Sequence, residues 1–244
     1  MNLLLLEAAE LDADNRALVT GRRERHLRDV LRAEVGARLR AGVIDGPLGT
    51  AHLEALTADG ARVQFTPERH PAPVDDVLLL AVPRPKVLLR MLAHAAALGF
   101  ARVVLFRTWR VDKSWLTSTA MQPDAWREQL LLGLEQAGRT QLPTVRFFDR
   151  FKPMVEDQLD ALRLPAHRYV AHPAAAAATA TLAAPSRSSG FALAIGPDGG
   201  WLPYEVDQLR LRGFCPISCG PHPLRTETAL AVLTGQLQLL RDRR

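Results

Sequence analysis

The rhythm of hydrophobic and polar positions changes near residue 74. Before it, short apolar runs alternate with turn signals. Residues 2–6 read as a strand, and residues 21–32 (GRRERHLRDVLR) as a short amphipathic helix. Leu27, Val30 and Leu31 share one face of that helix, with arginines on the other. Short strands are predicted over 38–44, 50–56 and 62–66, separated by Asp45-Gly46-Pro47-Leu48-Gly49 and by Asp59-Gly60. Asp-Gly between alternating runs signals a hairpin, because tight hairpin turns need residues that tolerate positive φ. A small β-rich domain is therefore expected over 1–70, with the Pro-rich stretch 67–73 as the linker to a second domain over 74–244.

Past residue 74 the runs lengthen. Residues 77–82 are continuously apolar, as in a strand buried on both faces. Residues 86–98 place Leu88, Met91, Leu92, Ala95 and Leu98 on one helical face and stop at Gly99. A strand over 102–106, a helix over 124–138, a strand over 145–148, a helix over 153–163 and a strand over 168–171 follow. In the 124–138 helix, Trp126, Leu130, Leu131 and Leu134 point inward. The Ala/Ser/Thr-rich stretch 174–190 fits a weak helix or a loop equally. Strands over 191–195 and 214–218 bracket a helix over 203–212, and a helix over 226–240 closes the pattern. Alternating strands and helices predict an α/β domain with a parallel sheet.

Composition narrows the function classes. At 48% hydrophobic and 23% charged residues, the chain is an ordinary soluble globular protein, and 244 residues suit two domains. Aromatics at 6% disfavour a sheet built as a base-stacking platform. The net charge is +5, yet residues 1–73 hold 10 Lys+Arg against 11 Asp+Glu, so the surplus lies in the second part. That surplus suits a polyanion such as nucleic acid, or solubility alone. Apart from Lys86, Lys113 and Lys152 the basic residues are arginines, whose forks suit phosphate but whose abundance also follows genome composition. Cys215 and Cys219 are too few for a disulfide framework or a zinc site, and the seven histidines form no HExxH, so no metal is expected. The four early leucines lack a basic start and no apolar run approaches ~18 residues, so neither a signal peptide nor a membrane span is expected and a cytoplasmic location is.

Three motifs are candidates for chemistry, and the first two stand where it belongs in an α/β domain, after strands and at helix starts. Ile195-Gly196-Pro197-Asp198-Gly199-Gly200 follows a buried strand, with Pro203 at a helix start and Glu205 in its first turn. It matches neither a dinucleotide loop nor a P-loop, and by spacing alone is as well a plain tight turn. Ser218 to Ala229 (SCGPHPLRTETA) runs from the next strand into the last helix, with Thr226 as a candidate N-cap. Arg225 and Glu227 there could form a mere surface ion pair. Glu135-Gln136-Ala137-Gly138-Arg139, then Pro143, ends an apolar helix, where polar residues are otherwise read as solvated and Arg139 as complementing the helix dipole.

Together, in order and spacing, these motifs resemble the RsmE family of 16S ribosomal RNA uridine-N3 methyltransferases in the SPOUT superfamily. The N-terminal His26-Leu27-Arg28-Asp29-Val30-Leu31-Arg32 fits the same family. The chain departs from the family pattern in having Asp198 for Glu, His94 for Lys, Ala97 for Glu, Leu202 for Ser, Cys219 for Leu and Pro223 for Ile. The resemblance implies a SPOUT-type parallel sheet with a C-terminal trefoil knot, preceded by a PUA-like β-barrel. It implies methyl transfer from S-adenosylmethionine to N3 of a uridine in small-subunit ribosomal RNA, by a homodimer. A different RNA position, or a non-catalytic RNA-binding or ribosome-assembly role on the same scaffold, are the alternatives.

The residues implied to bind the cofactor are His172, Ile195, Gly196, Pro197 and Gly200, and also Cys219, Gly220, Pro223, Leu224, Arg225 and Ala229. Arg225, Glu227 and Asp198 are the catalytic candidates: the cation for charge on the uracil carbonyls, the carboxylates as proton acceptor or as a guide for the arginine. His26, Arg28, Arg32 and Arg139 are the RNA-binding candidates. Leu230, Leu233, Leu237 and Leu240 of the last helix, with Ala229, Ala231 and Gly235 allowing close approach, are expected to build the dimer face.

Overall fold

The computed structural model describes residues 2–173, 175, 190–218, 220 and 222–242. The undecided stretch 174–190 falls mostly outside the described residues, as does Cys219. The chain divides into two compact units, residues 1–73 with 131–142, and residues 74–130 with 143–244. The first unit thus takes in residues 131–142, which the sequence reading assigned to the second domain.

The first unit is a five-stranded sheet of β1 (Leu4–Leu6), β2 (Arg16–Val19), β3 (Arg38–Val43), β4 (Leu48–Leu56) and β5 (Ala61–Arg69), ordered β1-β3-β4-β5-β2. The two Asp-Gly hairpins form as expected, β3 with β4 and β4 with β5, both antiparallel. Two features differ from the sequence reading. The four-residue β2 is too short to signal itself, and is fixed only by pairing with β5. Strand β5 runs on through Pro67 to Arg69, where a linker was expected. Pro67 is accommodated opposite Gly49 beside a register shift, and a Cβ on Gly49 would lie 2.0 Å from the Thr66 carbonyl oxygen.

The core of this unit is Leu4, Leu6, Val19, Leu53, Val63 and Phe65, capped by Leu27. The predicted 21–32 helix is α1 (Gly21–Arg25) continued by a wider π-type turn, His26–Val30. That widening carries later positions off the 3.6-residue period. Leu27 is fully buried, while Val30 and Leu31 are 65% and 47% exposed, against expectation. Glu135 also corrects the sequence reading. It is buried, not solvated, and accepts from both Nη atoms of Arg22 at 2.9 and 2.6 Å.

The second unit is a six-stranded, all-parallel sheet. Its strands are β6 (Val77–Ala81), β7 (Arg102–Phe106), β8 (Thr144–Phe148), β9 (His167–Ala171), β10 (Phe191–Ile195) and β11 (Phe214–Ile217), ordered β11-β9-β10-β6-β7-β8. Its principal helices are α2 (Pro85–Leu98), α3 (Pro123–Ala137, whose last turns belong to the first unit), α5 (Pro203–Leu211) and α6 (Thr226–Asp242); α4 is the short turn Phe151–Pro153. Gly99 ends α2 in the left-handed conformation, φ 92°. The helix expected over 153–163 is instead α4, a π-type turn (Met154–Gln158) and a 3-10 turn (Asp160–Leu162), stopped by Arg163 at φ 47°. Strands β6 and β10 are buried throughout, which explains their uninterrupted apolar sequences.

Helix α6 changes the reading of the leucine stripe. Leu230, Leu233 and Leu237 are fully buried inside the protomer, where α6 packs on α2 and β10, so the stripe is core and not an open face. The face left open carries Gly235, with nothing within 4 Å of a built Cβ, and Leu239, 53% exposed. Thr226 is the first residue of the helix and not its cap.

One buried ion pair ties α6 to the sheet. Asp76, 1% exposed, lies just before β6. Its carboxylate accepts from Arg241 Nη1 at 3.0 Å to each oxygen and from the Phe191 amide at 3.1 Å. Removing one partner strands a buried charge, which costs far more than the pair itself contributes. Asp76→Ala should lower the unfolding free energy by about 3–5 kcal/mol in chemical denaturation. A loss below about 1 kcal/mol would show that water reaches Arg241 there.

Candidate functional site

The chain lays β6, β7 and β8 down in one direction from the centre of the sheet, then returns to place β9 and β11 on the other side, with β10 slotted between β9 and β6. Ligands in open α/β sheets sit at such a reversal, beyond the carboxyl ends of the strands. The segments following β6, β9, β10 and β11 enclose a pocket of about 630 Å3 there. That lies in the range of sites that hold a small organic molecule.

The two glycine-containing loops face each other across it. From the first come Ile195, Gly196, Pro197, Asp198 and Gly200. From the second come Gly220, Pro223, Leu224, Arg225, Glu227 and Ala229. His172 lines it after β9. Every candidate cofactor-binding or catalytic residue among the described ones is therefore a lining residue. Arg84, Val87, Arg90, Trp201, His222 and Thr226 also line it and were not named as site residues from the sequence. His222 and Thr226 stood inside a quoted motif; Arg84 and Arg90 carry no local signal.

Trp201 shapes the floor. It is 7% exposed, stacks on Phe106 with ring centroids 6.1 Å apart, and donates its indole N–H to the Ala171 carbonyl at 3.0 Å. A Cβ on Gly196 would lie 2.8 Å from that indole nitrogen, which is why no side chain fits at Gly196. Gly200, at φ 73°, turns the loop toward α5. Glu205 then locks it. Its buried carboxylate accepts from the Leu202 amide at 2.8 Å, capping α5, and from the Trp109 amide at 3.1 Å.

The lining charges are three arginines and two carboxylates. Arg84 Nε lies 3.6 Å from Asp198 Oδ2, and Arg90 Nη2 donates to Glu227 Oε2 at 2.9 Å. Thr226 Oγ1 reaches Asp198 Oδ1 at 3.4 Å. The Arg225–Glu227 ion pair that the sequence allowed does not form. Glu227 is held by Arg90, and the exposed Arg225 guanidinium makes no hydrogen bond or ion pair among the described residues. The pocket thus offers a cation that no described residue neutralises, near two positioned carboxylates, the equipment for accepting a proton and stabilising the anion left behind.

The RNA-binding candidates lie in the first unit, including Arg139, which was expected in the second. Arg28 is committed to Glu24 at 2.6 Å and to the Thr57 carbonyl at 2.9 Å. Arg32 is exposed, at φ 48°. His26 is half-buried, and that burial, more than the nearby Arg22 charge, holds its pKa below the ordinary value against the opposing pull of Glu135. Burial therefore disfavours the charged imidazolium of His26. Arg139 is half-buried just after Gly138, which takes φ 70°.

Comparison with known proteins adds independent findings. A family model described as an RNA methyltransferase domain matches residues 70–238. The chain is 28% identical over 233 residues to a ribosomal RNA small subunit methyltransferase E of Treponema pallidum, covering 94% of this chain and 87% of that one. It is 22% identical to the Bacillus subtilis protein of the same name, covering 91% of each. Among solved structures, a ribosomal RNA small subunit methyltransferase E from Neisseria gonorrhoeae bound to S-adenosyl methionine superposes with a TM-score of 0.79 at 21% identity, over 98% of both chains. At that identity the likeness establishes the fold.

Glu205 provides the test of how the loop is held. Glu205→Ala removes two charge-assisted acceptors and should cost about 1–3 kcal/mol in denaturation. Amide exchange at Leu202 and Trp109 should quicken selectively. Unchanged exchange at both amides would mean that the carboxylate does not hold the loop.

Proposed function

The chain belongs to the RNA methyltransferase family, and from that premise we propose that it transfers a methyl group from S-adenosylmethionine to N3 of a uridine in small-subunit ribosomal RNA. The observation that carries this reading is the pocket where the two loops meet beside Arg225, whose guanidinium pairs with none of the described residues. The names of the relatives from Treponema pallidum and Bacillus subtilis support the RNA, and the bound ligand of the Neisseria gonorrhoeae structure supports the cofactor.

The lining fits S-adenosylmethionine. Loop amides suit the hydrogen-bonding edge of an adenine, while Leu224, Pro223 and Ile195 suit its faces. When bound, that cofactor supplies a methyl group that a base nitrogen can take. The remaining work falls to the protein. A uridine N3 proton has a pKa of about 10, near that of a phenol, so it must be removed. Asp198 or Glu227 accepts it. Arg225 stabilises the negative charge spreading onto the uracil carbonyl oxygens, with an always-charged donor fork. Arg84 and Arg90 orient the carboxylates. Proximity supplies a further large part of the rate, because base and methyl must be held in line.

The finer architecture is part of the same proposal: a trefoil knot in the second unit, a PUA-like barrel in the first that brings His26, Arg28, Arg32 and Arg139 to RNA, and a homodimer. The open Gly235–Leu239 face of α6 supports the dimer in place of the buried stripe. No described helix is long and apolar enough to cross a membrane, and no described group of three or more His, Cys, Asp or Glu could hold a metal.

Arg225→Ala should reduce methyl transfer to small-subunit RNA by about 100-fold or more, as for loss of one charge-stabilising donor. Calorimetry with S-adenosylmethionine should show affinity retained. Full turnover in this variant would remove Arg225 from the chemistry. Wild-type protein that binds neither S-adenosylmethionine nor RNA would remove the enzyme reading itself. Wild-type RNA affinity should also fall steeply between 50 and 200 mM salt through counterion release. A flat salt profile would show that phosphates are not what the protein holds.

A further inference from the structure

We propose that Trp109 is a stacking platform for an RNA base flanking the one that enters the pocket, an inference that rests on the RNA methyltransferase reading above. Trp109 is 83% exposed. The other tryptophans are covered to a greater degree: Trp201 is buried, Trp126 is half-buried with its indole N–H given to the Ala120 carbonyl, and Trp115 is half-buried. An indole held in water leaves a large apolar face available to a partner.

The exposure is not that of a loose loop. Thr108 and Val111 on either side are buried. The Trp109 amide donates to buried Glu205 at 3.1 Å, Arg107 Nε donates to the Asp149 carbonyl at 2.9 Å, and the Arg110 guanidinium donates to the Gly199 carbonyl. Hydrogen bonds hold residues 107, 109 and 110, and burial holds Thr108 and Val111, while the indole is left in solvent. A backbone held in this way loses little conformational entropy on binding.

Place and charge select the partner. The segment follows β7 at the carboxyl edge of the sheet, the same edge as the pocket. Arg110 Nη1 lies 3.8 Å from where a Cβ on Gly200 would sit, and Gly200 lines the pocket. Arg107 is held by the Asp149 carboxylate at 3.2 Å, so the cations the segment offers beside the indole are Arg110 and, past Asp112, Lys113. A carbonyl contact leaves the Arg110 charge unneutralised. A flat apolar face beside a cation matches a base beside its phosphate, and every base has a π-face to offer. A membrane or an apolar protein surface would not call for the arginine.

Trp109→Ala and Trp109→Phe are to be compared with wild type by anisotropy on a labelled single-stranded oligouridylate, and by methylation kinetics on unmodified small-subunit RNA. Trp109→Ala should weaken oligonucleotide binding about tenfold and raise KM for RNA more than it lowers kcat. Trp109→Phe should recover most of the loss, and calorimetry should give wild-type affinity for S-adenosylmethionine in both. The oligonucleotide should quench wild-type tryptophan fluorescence more than that of Trp109→Phe. Unchanged oligonucleotide affinity and KM in Trp109→Ala would overturn the platform. So would dissociation of an oligomer by Trp109→Ala in sedimentation, which would make the indole a contact between copies. Wild-type protein that binds and is quenched yet transfers no methyl group would keep the platform and refute the enzyme.

Discussion

The parallel pairing of β10 with β6, Leu80 opposite Ile195, is the constraint on which the second unit depends. Both strands are wholly apolar and wholly buried, so hydrophobic burial drives them to the middle of the sheet with helices on both faces. Once they are neighbours and parallel, their carboxyl ends coincide. The loop after β10 then meets the start of α2, and β9 on the far side of β10 brings His172 to the same edge. The pocket follows from strand order and not from any motif acting alone.

Charge within that pocket is arranged from elements far apart in the chain. Arg84 and Arg90 come from the start and middle of α2, Asp198 from the loop after β10, Glu227 from the first turn of α6. Half-exposed ion pairs such as Arg90–Glu227 contribute only about 0–1 kcal/mol to stability, so their consequence is orientation. Helix α2 carries His94 where the family resemblance expects Lys, and His94 is exposed. Arg90 lies one turn earlier on the same helix, so a cation still reaches Glu227. The departures at His94 and Asp198 thus leave the site with a positive partner for each carboxylate.

Buried carboxylates do the structural work around this site. Asp76 joins α6 to the beginnings of β6 and β10, and Glu205 joins the loop after β10 to the segment after β7. Each accepts from a backbone amide of another element, which a hydrophobic side chain cannot do. Neither is distinguishable by pattern from a solvated surface acid. The same holds for Glu135, which looked like the polar end of a helix and is the buried partner of Arg22.

The sequence by itself determined the elements that hydrophobic period and turn chemistry encode. Those are the two Asp-Gly hairpins, the buried strands β6, β7 and β10, helix α2 with its Gly99 stop, and the two glycine-containing loops as the place for chemistry. Such features are local, set by φ preferences and by side chains within a few residues. Only the tertiary structure decided what depends on distant partners. It made β2 a strand through β5, turned Leu230, Leu233 and Leu237 from a dimer face into core, and moved residues 131–142 into the first unit. It also gave Glu227 to Arg90 and not to Arg225, and held Trp109 outward by burying its neighbours. Burial and ion pairing are properties of what the rest of the chain places alongside a residue, and the identity of that residue does not carry them.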